Sequence, residues 1–109
     1  MKNIIVSIIA MIAMSSNTYA ECKSWGCNSK IQKLLVTNTG KIVVATDGDE
    51  KKANCTPIAG IYLTISPSTK GSNSIYSLLL TAKSLDKKVI LRVSEGTKNC
   101  EIQYASLSN

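Results

Sequence analysis

Residues 72–86, Ser-Asn-Ser-Ile-Tyr-Ser-Leu-Leu-Leu-Thr-Ala-Lys-Ser-Leu-Asp, decide how this chain is read. Ile75, Leu78, Leu79, Ala82 and Leu85 recur near i, i+3, i+4 and i+7, the stripe of a helix that covers a sheet. Ser72 or Asn73 is the expected N-cap, after the turn-rich residues 66–71. Beyond the N-terminal leader, the rest of the chain reads as short strands.

Working outward, three strand-like runs precede the helix and two follow it. Residues 31–37 place Leu34 and Val36 on one face and Lys33 and Leu35 on the other. Asn38-Thr39-Gly40 is a hairpin turn, and residues 41–46 are dense in β-branched side chains. Residues 60–65 alternate, with Ile61, Leu63 and Ile65 expected inward and Tyr62 and Thr64 outward. After the helix, residues 88–93 put Val89, Leu91 and Val93 on one face, and residues 98–104 align Cys100, Ile102 and Tyr104. One helix after the third of five strands is the element order of the OB-fold, a Greek-key barrel that binds sugars or oligonucleotides. The expected class is therefore all-β with one helix, a five-stranded OB-fold-like barrel over residues 21–109.

The first twenty residues stand apart. Lys2, the apolar run 4–14 and the small residue Ala20 read as a cleaved secretory signal, and the run is too short to span a membrane. The expected location is secreted or periplasmic. Four cysteines in an exported chain of this size favour two disulfides, with three pairings open. Cys22–Cys27 with Cys55–Cys100 is preferred. A zinc site is the weaker rival, since the chain has no His and no Cys-x-x-Cys pair. Without Lys2 the chain keeps twelve basic residues against seven acids, a net charge of +5 spread along the sequence. Export and the scarcity of stacking aromatics (no Phe, one Trp) argue against nucleic acid.

Catalytic chemistry is poorly supplied. There is no His to act as general base, no Gly-x-Ser-x-Gly elbow and no phosphate-binding Gly-rich loop. Glu95 and Glu101 as a hydrolytic pair are outweighed by their reading as surface charges. Residues 47–52, Asp-Gly-Asp-Glu-Lys-Lys, lack calcium-loop spacing and read as a solvated turn. No cofactor, no metal and no enzymatic activity are expected. Binding remains. Trp25, inside the Cys22–Cys27 loop, either caps the fold or stands in a binding site. Tyr76, Leu80 and Lys83 form a second helix stripe that either meets another subunit or tucks partly into the same domain.

Ser29 ahead of a strand, the Gly40-Lys41-Ile42 turn, the Ser74-x-x-x-Leu78-Leu79-x-x-Ala82 helix and the basic residue in Lys88-Val89-Ile90-Leu91-Arg92-Val93 carry a resemblance. Together they resemble the B subunits of subtilase-cytotoxin-like and pertussis-like bacterial toxins. The chain departs from that pattern in cysteine placement and in lacking an aromatic-rich segment after strand four. The resemblance implies an OB-fold, a homo-oligomeric ring of five, recognition of sialylated host glycans, and carriage of a separate catalytic A subunit. It also implies that Ser29 contacts a sugar carboxylate. Thr39, Lys70 and Trp25 join it as candidate contacts, because hydroxyls and a cation suit a carboxylated sugar and an indole suits a sugar's apolar face. The alternative function is a small periplasmic or secreted protein-binding module, such as an inhibitor, immunity or accessory protein.

Overall fold

The computed structural model describes residues 20–107; of the expected leader, all but Ala20 lies outside them. Seven strands and one α-helix follow in the order β1 (Glu21–Lys23), β2 (Gly26–Ser29), β3 (Ile31–Val36), β4 (Ile42–Thr46), β5 (Tyr62–Ile65), α1 (Ser72–Ser84), β6 (Val89–Val93) and β7 (Ile102–Leu107). A 3-10 turn, Glu50–Lys52, sits between β4 and β5. Among the described residues the class is mostly β with one α-helix, as expected. The strands nevertheless form two antiparallel sheets, β1-β2-β6-β7 and β3-β4-β5, and not a five-stranded closed barrel.

The two additional strands come from residues 21–29, expected as a polar lead-in. Cys22 and Cys27 lie directly opposite each other in a hairpin turning on Ser24-Trp25, and β2 continues into a ladder with β6. The chain then changes sheet across a single residue, Lys30, between β2 and β3. Far along the chain the sheets meet again. Thr64 in β5 forms a parallel bridge with Glu101, and its backbone N–H donates to the Cys100 carbonyl at 3.1 Å. The Thr64 hydroxyl donates to the Asn99 carbonyl at 2.9 Å. This junction buries Thr64, which simple alternation had pointed outward. Ile61, expected inward, is exposed, because the strand begins one residue later, after the positive-φ residues Ala59 and Gly60.

Leu63, Ile65, Leu79, Val89, Leu91 and Val93 form the centre of the core. Each contributes roughly 1.5–3 kcal/mol of burial. α1 lies across β7 and β3, the outer strands of the two sheets, with Leu79 and Ala82 fully buried. Both of those strands carry a bulge. In β3 the register shifts between Ile31 and Lys33, so Ile31 and Leu34 both turn toward the core despite their odd spacing. In β7 Arg92 faces Tyr104 while Val93 faces Ile102, leaving Gln103 as the extra residue. Ile102 and Ala105 therefore face inward, and Tyr104, expected in line with Ile102, stands 48% exposed.

The helix is shorter than its periodicity suggests. Its N-cap is Gly71, without a side-chain capping bond, in place of Ser72 or Asn73. At the other end Asp86 takes φ 53°, Asp86 N–H donates to the Lys83 carbonyl at 3.2 Å, and Lys87 N–H donates to Ala82 at 3.0 Å. That is a Schellman stop, and it carries Leu85 past the last turn, where it is 56% exposed.

Residues 47–52 are not wholly solvated either. Glu50 is 3% exposed, and its Oε2 accepts Thr46 N–H at 2.6 Å and the Thr46 hydroxyl at 2.8 Å. Asp49 caps the 3-10 turn from the surface by accepting Lys51 N–H at 3.2 Å. Removing a buried acceptor leaves its donors unsatisfied, which costs more than losing a surface cap. Glu50→Ala is expected to cost about 2–3 kcal/mol, against about 1 for Asp49→Ala. Urea midpoints of the two variants, measured side by side, check the ranking; equal losses would mean Glu50 does not hold the end of β4.

Candidate functional site

The four expected ligand contacts are not gathered in one place. Thr39 lies in the β3–β4 turn, where its hydroxyl shares a 2.9 Å hydrogen bond with Thr37. Lys70 is exposed in the loop before α1, and the two turns are neighbours: a Cβ on Gly40 would lie 3.4 Å from Pro67. Ser29 ends β2 opposite Val89, with 0% exposure, and its Oγ has no hydrogen-bond partner among the described residues. It is separated from the Thr39 turn by the length of β3, about 17 Å at ordinary strand rise. Trp25 lies at the opposite end of β2, half-buried in the β1–β2 turn.

The expected oligomer stripe is divided as well. Tyr76 packs against the core, Leu80 is 46% exposed, and Lys83 donates from Nζ to the bulged Gln32 carbonyl at 3.2 Å. The helix's polar side turns its hydroxyls inward: Ser77 donates to Asn73, Thr81 to Ser77 and Ser84 to Leu80, at 2.8–3.0 Å.

What the structure does assemble is a corner around Trp25. The Trp25 carbonyl accepts Val93 N–H at 2.9 Å, and the Ser24 carbonyl accepts Asn54 N–H at 2.9 Å. Asn54 also accepts Gly96 N–H at 2.7 Å and donates from Nδ2 to Glu95 at 3.1 Å. Three separate segments are thus tied through one asparagine. Both disulfides, Cys22–Cys27 and Cys55–Cys100, close beside it, as the preferred pairing anticipates. The first locks the hairpin that carries Trp25. The second joins the residue after Asn54 to the end of the loop that carries Glu95 and Gly96.

On the outer face of the four-stranded sheet, Lys23, Gly26, Arg92 and Tyr104 are successive partners across β1, β2, β6 and β7. Gly26 has no side chain to fill the row, so a gap separates Lys23 from Arg92 by two strand spacings, about 9–10 Å. Arg92 is half-exposed and lies 3.9 Å from Glu95; Lys23 lies 3.7 Å from Glu21. Lone pairs this exposed contribute little stability and leave the cations free to exchange partners. Sequence reasoning did not single out Asn54, Arg92 or Tyr104 as candidate contacts. The signal for Arg92 was present: it is the sole arginine in a lysine-rich chain, alternating with the buried Leu91 and Val93.

Among the described residues no group of His, Cys, Asp and Glu side chains could hold a metal ion, and no helix is long and apolar enough to cross a membrane. Glu95 and Glu101 are exposed. The two disulfides point to an oxidising environment, extracellular or periplasmic. No family model, curated protein or solved structure matches the chain.

Proposed function

We propose that this chain is an exported, non-enzymatic binding subunit that recognises a carbohydrate on a host surface. The observation that carries the reading is the Trp25 corner, where the only tryptophan stands on a surface fixed by both disulfides and by Asn54. A rigid aromatic offers binding area with little entropy to lose, and Trp and Arg are the side chains that most often dominate binding energy. The chain path gives further support. It crosses between sheets at Lys30, returns through the parallel Thr64–Glu101 bridge, and inserts its helix between β5 and β6. An OB-fold-like route has this order, with β2 and β3 acting as one bent first strand. The same reading extends to a homo-oligomer, a ring of five, that carries a separate catalytic subunit and engages sialylated glycans. Trp25 heads the candidate contacts, with Thr39 and Lys70 on a second exposed surface; Ser29 would join only if a ligand uncovered it.

The test is a glycan screen with oxidised protein beginning at Glu21. Specific binding is expected, falling at least tenfold in Trp25→Ala while circular dichroism shows the fold retained. No binding above background would overturn the reading. The dispersal of Ser29, Thr39, Lys70 and Trp25 favours a second reading, a small protein-binding module. Light scattering separates the two: a stable pentamer supports the first and a strict monomer the second.

A further inference from the structure

We infer that hydrolysis of the Ala20–Glu21 bond creates an ammonium group seated against the Asp47-Gly48-Asp49 loop, so that export processing supplies that loop with a cation. The inference rests on the leader reading of residues 1–20 and adds a destination for the new terminus. β1 begins at Glu21, already in register with Asn28, while Ala20 lies outside the ladder. Cleavage there removes none of the described strand residues from the sheet. The two-residue hairpin makes Lys23–Gly26 a hydrogen-bonded pair, so alternation makes Glu21–Asn28 the next one. The Glu21 nitrogen is therefore held in place before and after the bond is cut.

That nitrogen faces the acidic loop: a Cβ on Gly48 would lie 3.7 Å from it. The charges around the loop show what is missing. Glu21 pairs with Lys23, Asp86 with Lys30 and Glu95 with Arg92. Asp47 and Asp49 have no cationic side-chain partner among the described residues, in a chain with an excess of lysines. Asp47 Oδ1 accepts Lys30 N–H at 2.9 Å and Asp49 Oδ1 accepts Lys51 N–H at 3.2 Å, leaving the second oxygen of each carboxylate available. Before processing, Glu21 offers this loop one amide proton, which the ladder uses. Water adds its hydroxyl to the Ala20 carbonyl carbon and a proton to the Glu21 nitrogen. A further proton from solvent makes it the cation the two carboxylates lack.

Other charges lie on the neighbouring elements. The Glu21 and Lys23 side chains come from β1, Lys30 follows β2, and Glu50, Lys51 and Lys52 come from the 3-10 turn. Glu50 is engaged with Thr46, and the lysines oppose the ammonium, so the net effect is that of an exposed pair. Proximity to the carboxylates raises the amine's folded-state pKa above its ordinary value of about 8. A raised value gives stability that is full below the unfolded pKa and is lost as pH rises through the folded one.

Two measurements separate the leader reading from the seat. Mass and N-terminal sequence of the exported protein should begin at Glu21; any other start overturns the leader assignment. Independently, protein beginning at Glu21 is compared with the same chain Nα-acetylated, both oxidised, by urea unfolding. At pH 6 the acetylated form should unfold with an equilibrium constant about two- to fivefold larger, and the difference should disappear above about pH 10. In Asp47→Asn/Asp49→Asn it should vanish at every pH. Equal stability at pH 6, or a difference that survives the double substitution, overturns the seat.

Discussion

Replacing Cys55 and Cys100 together by alanine is expected to remove about 4 kcal/mol of stability, enough to leave the chain largely unfolded at 37 °C. The disulfide closes a 45-residue separation that contains β5, α1 and β6, so cutting it releases most of the loop entropy the native connection suppresses. The Cys100 side chain is also fully buried, and its loss leaves a small void beside the Thr64 junction. The matching Cys22→Ala/Cys27→Ala pair closes a separation of only 5 residues and should cost about half as much on the same entropy argument. Guanidinium midpoints of the two double variants check the ratio. A smaller loss from the long loop would mean that the unfolded chain is already constrained there.

Gly26→Ala is the second large effect. A Cβ at this position would collide with the Leu91 carbonyl oxygen, and the residue sits at φ 145°. The obstacle is backbone on the paired strand β6, so no rotamer change relieves it. Separating β2 from β6 sacrifices ladder hydrogen bonds beside the fully buried Cys27 and Leu91. Overpacking and backbone strain together predict a loss of about 3–5 kcal/mol, read as a drop in melting temperature. An unchanged melting temperature would contradict the close approach of the two strands.

These expectations locate what was readable in the sequence. The helix and the strands now called β3, β5 and β6 follow from hydrophobic spacing, and β4, buried along its whole length, from its β-branched residues. That the cysteines form two disulfides followed from their number and the export reading, while the pairing stood as a preference among three. The misread residues lie where periodicity is interrupted. The bulge at Gln32 makes Ile31 and Leu34 face the same way, and the one at Gln103 turns Tyr104 outward; neither leaves a mark in composition. β1 and β2 are short and polar, and only pairing across Cys22 and Cys27 reveals them. The Trp25 corner was half legible. Trp25 stood out as a single indole, but Asn54 becomes central only when distant segments meet, which no local pattern records.

The position of α1 has a consequence for solubility. β3 and β7, each six residues long, are terminal strands of their sheets, where unpaired backbone groups can template association with another chain. The helix lies over both, and the Lys83 ammonium occupies the carbonyl of Gln32 where the bulge breaks the edge. Loosening that one segment would uncover two sticky margins at once, so the helix guards against fibrillar pairing as well as closing the core.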